Sequence, residues 1–169
     1  TLGGTIRTGR NWTYTTGTLD ASTSTVVFGD SGCTSGVCSV ITGSHTLNNI
    51  TFNSNSGSRI WTVSSTTTLT VSSTLTFDNS SIGGIAINTG AGTASGTIEA
   101  LGDIVIGDTI SYDGTALIVA SGTKNQLFNG SAASSTGGFP FFQINKTGGT
   151  LTLGGTIRTG RNWTYTTGT

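Results

Sequence analysis

Short runs in which apolar residues alternate with other residues recur along the whole chain. In an extended chain this alternation places apolar side chains on one face and polar ones on the other. Val, Ile, Thr and aromatic residues, which dominate the runs, also favour strands. The pattern therefore predicts an all-β protein built from very short strands. The runs include Trp61–Val63, Leu69–Val71, Leu75–Phe77, Ile85–Ile87, Ile104–Ile106, Leu117–Val119, Phe142–Ile144, Leu151–Leu153 and Trp163–Tyr165.

Gly-Gly, Ser-Ser, Asn-Ser, Asp-Gly and Thr-Gly pairs separate these runs. Such pairs are turn signals, and they place successive strands roughly six to ten residues apart. No window carries the spacing of an amphipathic helix together with its capping residues. We therefore expect essentially no helix.

The sequence repeats itself over a long period. Residues 1–18 read TLGGTIRTGRNWTYTTGT, and residues 152–169 are identical to them, so the period is 151 residues. Repetition over a fixed period is typical of stacked architectures. We expect 1–151 to be one complete repeat unit and 152–169 the start of the next, so that the chain is a piece of a longer array. Weaker internal similarities predict two unequal sub-modules within the unit, approximately 20–80 and 81–151.

The repeat and the short strands together favour a parallel β-solenoid, or β-helix, made of tandem units. Each strand has two or three inward apolar positions, which suits a narrow coil with about three faces. At about 22 residues per coil, one unit would form about seven coils and rise roughly 33 Å. A string of β-sandwich domains is the alternative, because sandwich units of about 100–150 residues also consist of short strands with turn signals between them.

Composition narrows the class of protein. Charged residues make up 8% of the chain, against roughly 25% in ordinary soluble domains. One unit holds five basic and seven acidic residues, and this slight negative charge argues against nucleic acid as a partner.

No stretch approaches the roughly 20 apolar residues of a membrane span. Ser and Thr make up about a third of the chain, so hydroxyls, amides or glycans must keep the surface solvated.

The sequence from Phe141 through the repeat junction resembles a known family. The phrase FFQINKTGGTLTLGGTIRTGRNWTYTTGT, followed in the unit by LDASTSTVVFGDSG, is similar to the degenerate repeats of very large bacterial surface proteins. These are the filamentous-haemagglutinin and autotransporter type of β-helix protein. The resemblance implies a β-helix fold and a role in cell-surface adhesion, matrix or filament formation. The segment around Cys33 and Cys38 and the stretch 96–114 lie outside the shared phrase.

Two cysteines, Cys33 and Cys38, lie close together in the segment GCTSGVC. A pair at this spacing, with Gly and Ser between, predicts a small disulfide loop, and disulfides persist outside the reducing cytosol. Free thiols are the first alternative. A zinc site is the second, but it would need more ligands than the pair and the nearby His45 provide.

Six asparagines lie in Asn-x-Ser/Thr sequons, which can accept N-linked glycans in secreted proteins. The abundance of Ser and Thr produces several such triplets by chance. O-linked sugars on Thr or Ser are an equally open alternative. The candidate positions are Asn11, Asn49, Asn79, Asn129, Asn145 and Asn162.

The sequence presents no pattern of catalytic residues. His45 is the only histidine, and no local pattern holds it against Ser44 or Asp30 in the geometry of a nucleophilic triad. We interpret it as a turn or surface residue. Three aspartates recur at five-residue steps and are better interpreted as turn residues than as calcium ligands; they are Asp103, Asp108 and Asp113.

Aromatic and basic side chains have structural interpretations as well. Trp12, Trp61, Phe141 and Phe142 occupy alternating positions, which favours a place in the core or along a seam over stacking on sugars. Arg7 and Arg10 flank one strand and are expected on the outer face.

These observations predict an extracellular or cell-surface protein whose repeats build a filament, stalk or adhesin without catalysis and without a cofactor. Its partners would be further copies of itself, as continuing repeats or neighbouring chains, and glycans. A ligand-binding solenoid, for glycans or ice, is the first alternative, since the Thr-rich runs 13–16 and 66–70 resemble the flat Thr arrays of ice-binding solenoids. A glycan-degrading β-helix enzyme is the second alternative.

Overall fold

The computed structural model describes residues 1–29, 36–54, 57–78, 84–88, 95–107, 112–131 and 138–168. These residues form eighteen strands and no helix, as the alternation of apolar residues predicts. The strands are β1 (Thr5–Thr8), β2 (Trp12–Thr13), β3 (Thr25–Phe28), β4 (Gly36–Thr42), β5 (His45–Leu47), β6 (Asn49–Asn53), β7 (Arg59–Val63), β8 (Thr68–Val71), β9 (Leu75–Asp78), β10 (Ile85–Ile87), β11 (Thr97–Ala100), β12 (Ile104–Ile106), β13 (Tyr112–Gly114), β14 (Leu117–Gly122), β15 (Gln126–Ser131), β16 (Phe141–Lys146), β17 (Leu151–Thr156) and β18 (Trp163–Thr167).

The strands belong to three sheets. Sheet A has the order β1-β3-β6-β9-β12-β15-β17, sheet B the order β13-β10-β7-β4-β2, and sheet C the order β18-β16-β14-β11-β8-β5. From β3 to β15 successive strands belong to sheets A, B and C in turn, whereas β1–β2 include no strand of sheet C and β16–β18 include none of sheet B. Each strand pairs in parallel with the strand one coil further along. This arrangement is a parallel β-solenoid. The alternative of β-sandwich domains is therefore wrong for the described residues, since sandwich sheets are antiparallel.

One inward column of sheet A shows how long each coil is. Its members are Ile6, Val26, Ile50, Leu75, Ile104, Phe128 and Leu153. Successive members lie roughly 25 residues apart, which is an ordinary size for a solenoid repeat, so the chain makes about six coils rather than the seven predicted. The prediction was wrong because Gly- and Ser-rich turns of variable length lengthen the coil, whereas only the strands carry an apolar pattern. Six coils about 4.8 Å apart rise about 29 Å.

The interior is a column of apolar side chains supplied by all three sheets. Trp61 and Phe142, predicted to be core residues, are 0% and 1% exposed. The rings of Phe28, Phe52 and Phe77 lie one above another on three coils, with centroid separations of 5.4 and 5.7 Å. Burial of aromatic residues contributes the largest apolar areas in a core, and offset ring pairs add further stabilisation.

Polar side chains at the corners bind the backbone of the neighbouring coil. Asn49 accepts the backbone N–H of Thr74 at 3.2 Å, and Asp103 accepts that of Leu127 at 2.8 Å. Each bond gives a partner to a backbone donor at or next to the start of a strand, and backbone donors in folded proteins are nearly always paired. The abundant Asn, Ser and Thr of the sequence thus tie consecutive coils together.

Candidate functional sites and surfaces

Cys33 lies outside the described residues, so the predicted disulfide with Cys38 stays a prediction. Cys38 is on β4 with a half-buried side chain. Asp30, Asn79 and Asp108 also lie outside the described residues.

The other predicted glycosylation sites differ in how accessible they are. Asn11, Asn145 and Asn162 are exposed, while Asn49 and Asn129 are half-buried. The side-chain amide of Asn49 donates to the Ser24 carbonyl oxygen at 3.4 Å, so its nitrogen is engaged within the fold. An N-linked glycan needs that nitrogen and space around it, which makes the exposed asparagines the better candidates.

His45 is buried, and its interpretation as a turn or surface residue was wrong. The side chain is 9% exposed and points inward from β5. The alternation in His45-Thr-Leu47 carried this information, because His45 has the same parity as the buried Leu47. The imidazole stacks against Trp12 and Tyr14, with ring centroids 6.2 and 5.1 Å away.

Two hydrogen bonds determine the protonation state and the tautomer of the His45 imidazole. The Trp12 indole N–H donates to Nε2 of His45 at 2.9 Å. Because an indole N–H can only donate, Nε2 must be unprotonated, and Nδ1–H then donates to the Gly43 carbonyl oxygen, 2.7 Å away. Burial lowers the pKa of His45, and the carbonyl of Gly43 only partly offsets this. The ring is therefore neutral in the fold.

The two copies of the repeat segment, 1–18 and 152–169, adopt different positions. In the first copy Trp12 lies on sheet B beside Ile41. In the second copy Trp163, the equivalent residue, lies on sheet C beside Phe142. In the inward column of sheet A, the first copy contributes Ile6 and the second Leu153, which is equivalent to residue 2.

The identical sequence accepts both positions for a physical reason. Sliding a strand by one residue would turn its apolar side chains outward, but sliding it by an even number preserves the inward face. Positions 2 and 6 of the segment are four residues apart, which is an even number. The inward column can therefore hold Ile6 in the first copy and Leu153, the equivalent of Leu2, in the second. The repeat segment is thus compatible with two registers.

Two buried cations were not singled out by the sequence pattern. Arg59 is 1% exposed, and its Nη1 donates to the Gly29 carbonyl oxygen at 2.9 Å. Lys146 is 1% exposed, and its Nζ donates to the Lys124 carbonyl oxygen at 2.8 Å and to Gln126 Oε1 at 2.7 Å. Burial lowers the pKa of Lys146. Each residue lies an even number of positions from inward apolar residues on its own strand. This alternation was the sequence signal that could have predicted their burial.

Asn88 joins the backbone of two coils on the inside of sheet B. It is 5% exposed with a φ of 60°. Its Oδ1 accepts the Val63 N–H at 2.6 Å, and its Nδ2 donates to the Val63 carbonyl at 2.8 Å and to Ser95 Oγ at 3.1 Å. Asn88 directly follows β10, and its side chain makes the hydrogen bonds to Val63 that the backbone of a longer strand would otherwise make.

The acidic residues are dispersed. In the described part of the chain, no three His, Cys, Asp or Glu side chains come together in a group that could hold a metal ion. Asp103 binds a backbone N–H, Glu99 accepts the hydroxyls of Thr70 and Ser121, and Asp113 pairs with Arg161 at 3.3 Å on the surface. Each of these carboxylates thus has a local structural partner.

Threonines do not form regular ranks on the surface of sheet C. Its outward column starts with Thr46 and Thr70, and then continues with Glu99, Val119 and Gln143 before Thr164. An ice-binding face would need Thr at the same position on each coil, and this column of the described strands of sheet C lacks that arrangement. Arg7 and Arg10 are exposed, as predicted.

The fold defines the class of the protein as a parallel β-solenoid. No family model, no curated protein and no solved structure matches the chain. Among the described residues, no helix has the length and apolar character needed to cross a membrane.

Proposed function

We propose that the chain is the repeating module of an extracellular filament or surface stalk, with a mechanical role and no catalysis. The observation that carries this proposal is the agreement between the sequence period and the coil spacing. With the period found in the sequence, the next copy of Val26 would follow Leu153, the last member of the sheet A column, after roughly 24 residues, which is one ordinary solenoid coil.

Contacts between neighbouring coils within the chain span the same length of sequence. The Asn48 amide reaches the Ser24 carbonyl oxygen across 24 residues, and the Asn49 side chain reaches the Thr74 N–H across 25 residues. In sheet A, the step between two units would therefore span the same length of sequence as the other steps from coil to coil.

If the repeat period continues the coil spacing of sheet A, the coils of one unit are followed directly by those of the next, with no spacer domain between them. In such an array, every backbone group of the three sheets bonds to the coil above and the coil below, which suits a load-bearing or extended structure. The sequence resemblance to bacterial surface β-helix proteins supports a place outside the cell. The predicted disulfide at Cys33 and Cys38, the low charge and the exposed sequons agree with that location.

Adhesion to a target, with glycans as one candidate class, is the natural extension of this role. Neither of the alternative functions is favoured by a specific observation. An ice-binding solenoid would show thermal hysteresis, and a glycan-degrading enzyme would release reducing ends from a polysaccharide panel with sustained turnover.

The proposal is tested by immunogold electron microscopy of intact source cells with an antibody against the unit. We expect gold particles along filaments or stalks that project from the cell surface, at regular intervals that reflect the repeat. Label confined to the cell interior, or dispersed label on soluble protein, would contradict the proposal.

A further inference from the structure

Two buried polar atoms on neighbouring strands of sheet B have no hydrogen-bond partner among the described residues. They are the hydroxyl oxygen Oγ of Ser39 on β4 and the indole nitrogen Nε1 of Trp61 on β7. The two residues are 2% and 0% exposed. Buried polar groups in native structures are nearly always paired, with protein groups or with ordered water, because an unpaired group loses its bonds to water without compensation. Each of the two atoms therefore needs a partner.

The pairing of β4 with β7 brings the two side chains together in the interior. Ser39 is the register neighbour of Trp61. Both point inward, as do Ile41 and Val63, which follow two positions later on the same strands and are buried. An indole N–H only donates and a hydroxyl oxygen accepts, so the two groups have complementary chemistry. They nevertheless make no direct hydrogen bond.

A β-bulge in β4 turns Ser39 inward. The register shifts between Val37 and Ser39, so that Cys38 has no paired residue on β7. Val37 is 62% exposed, and strict alternation from this outward residue would have turned Ser39 outward as well. Bulges re-aim side chains in this way and are specific features of a fold rather than defects. The polar side chain beside Trp61 is therefore built into the architecture of sheet B.

The span between the two positions suits one water molecule. Neighbouring strands lie about 4.8 Å apart, and a water that bonds to two groups at about 2.8 Å each, at a tetrahedral angle, spans roughly 4.6 Å. On its other side Trp61 is flanked by Ile87, and the smaller side chain of Ser39 leaves more room than this isoleucine does. A buried water makes about two to four hydrogen bonds to polar groups that would otherwise be unpaired.

The other two indoles show why the inference is restricted to Trp61. The indole N–H of Trp12 donates to Nε2 of His45, so it is already paired. Nε1 of Trp163 is buried and also has no partner among the described residues, but its register neighbour is Phe142, which has no polar side-chain atom. In the described part of the chain, only Trp61 has an unpaired polar side chain as its register neighbour.

We propose that the interior of sheet B holds one ordered water molecule, which accepts the Trp61 indole N–H and donates to Ser39 Oγ. This water completes the hydrogen bonding of both side chains. It also joins β4 to β7 beside the bulge, where the register of the two strands shifts. The site is an internal binding site for water among the apolar side chains of the core, and it does not depend on the proposed filament function.

A matched pair of variants in the full chain tests this proposal: Ser39→Ala and Ser24→Ala. Both remove the hydroxyl of a buried serine, but Ser24 Oγ already donates to the Ala21 carbonyl oxygen at 2.6 Å. The readout is ¹⁷O magnetic relaxation dispersion of the solvent, which counts the long-lived waters inside a protein in solution. Circular dichroism verifies that each variant is folded.

We expect Ser39→Ala to hold one long-lived water fewer than the unmodified chain, and Ser24→Ala to hold the same number. If Ser39→Ala does not fold, Ser39→Val and Ser39→Thr replace it. These two side chains have the same shape and differ in the hydroxyl, so Ser39→Thr should hold one water more than Ser39→Val.

A high-resolution crystal structure of the unmodified chain gives the position of the water. We expect electron density for one water within hydrogen-bond distance of both Trp61 Nε1 and Ser39 Oγ. A direct hydrogen bond between the indole and the hydroxyl, with no water between them, would overturn the proposal. An equal count of long-lived waters in the unmodified chain and in Ser39→Ala would overturn it as well.

Discussion

At the scale of single residues, polar side chains inside the solenoid act as links between coils. His45, Asn88, Gln126 and Lys146 are all buried, and each bonds to a group one coil away or at a corner. A buried polar group without its partner costs about 1–3 kcal/mol, whereas a satisfied one contributes modestly. These residues therefore fix which coil lies beside which, more than they add to overall stability.

Acid is expected to destabilise the fold through His45. Burial lowers the pKa of this group in the fold, so the unfolded chain binds a proton more readily than the folded one. The free energy of unfolding then decreases as pH falls below about 6.5, the unperturbed histidine pKa, until the folded pKa is passed. The groups that face the ring are the Trp12 indole, the Tyr14 ring and the Gly43 carbonyl oxygen.

Urea unfolding at a series of pH values between 7 and 5 measures this effect, and His45 is the only histidine in the chain. His45→Gln keeps a side-chain acceptor for the Trp12 indole but does not titrate. We expect its stability to vary much less over this window. The same slope in both proteins would show that the pH dependence has another origin.

Replacing Asn88 with Ala should be among the most destabilising single changes. The variant loses the bonds to Val63 and leaves the Val63 N–H without its partner, and it places a Cβ residue without a compensating bond at a φ of 60°. We expect the free energy of unfolding to fall by about 3 kcal/mol.

Asn145→Ala is the control for Asn88, because Asn145 is exposed on β16; its effect should stay within about 0.5 kcal/mol. Chemical denaturation of the two variants and the unmodified chain gives both values. A loss at Asn88 no larger than at Asn145 would mean that the Asn88 side chain does not hold the coils together.

At the scale of elements, the strands followed from the sequence, and the turns between them did not. All the alternating runs lie in strands. Parity within a strand would also have given the inward side of Arg59, His45 and Lys146, but His45 was interpreted as a turn or surface residue and the two cations were not singled out. The number of coils could not be predicted, because the segments between strands have no apolar pattern to set their length. The register of the repeat segment could not be predicted from the sequence either, because shifting the segment by four residues leaves the same side chains facing inward.

Close contacts between turns and neighbouring coils limit which glycines can change. A Cβ at Gly96 would lie 2.2 Å from the Val63 carbonyl oxygen, while a Cβ at Gly17 would have no atom within 4 Å. Both residues have positive φ, at 71° and 107°. Replacing either with Ala therefore strains the backbone, but only Gly96→Ala also forces two coils apart.

We expect Gly17→Ala to cost about 1 kcal/mol, and Gly96→Ala to cost about 2 kcal/mol or more beyond that. Thermal unfolding followed by circular dichroism compares the two. Equal losses would indicate that backbone strain alone matters and that the coils have room to separate at this corner.

At the scale of the whole molecule, the described coils share three parallel sheets and one continuous column of apolar side chains. The period of the sequence continues the coil spacing of sheet A without a break. The account therefore predicts a uniform rod, in which one unit cannot be distinguished from the next by a gap or a change of diameter.

X-ray fibre diffraction of aligned native filaments tests this central claim most directly. We expect a strong meridional reflection near 4.8 Å, from coils stacked along the axis, and an axial repeat of about 29 Å for the six coils of one unit. A repeat much longer than about 29 Å, or the absence of the 4.8 Å reflection from the meridian, would mean that the units are separate domains on a string, and would contradict the continuous solenoid.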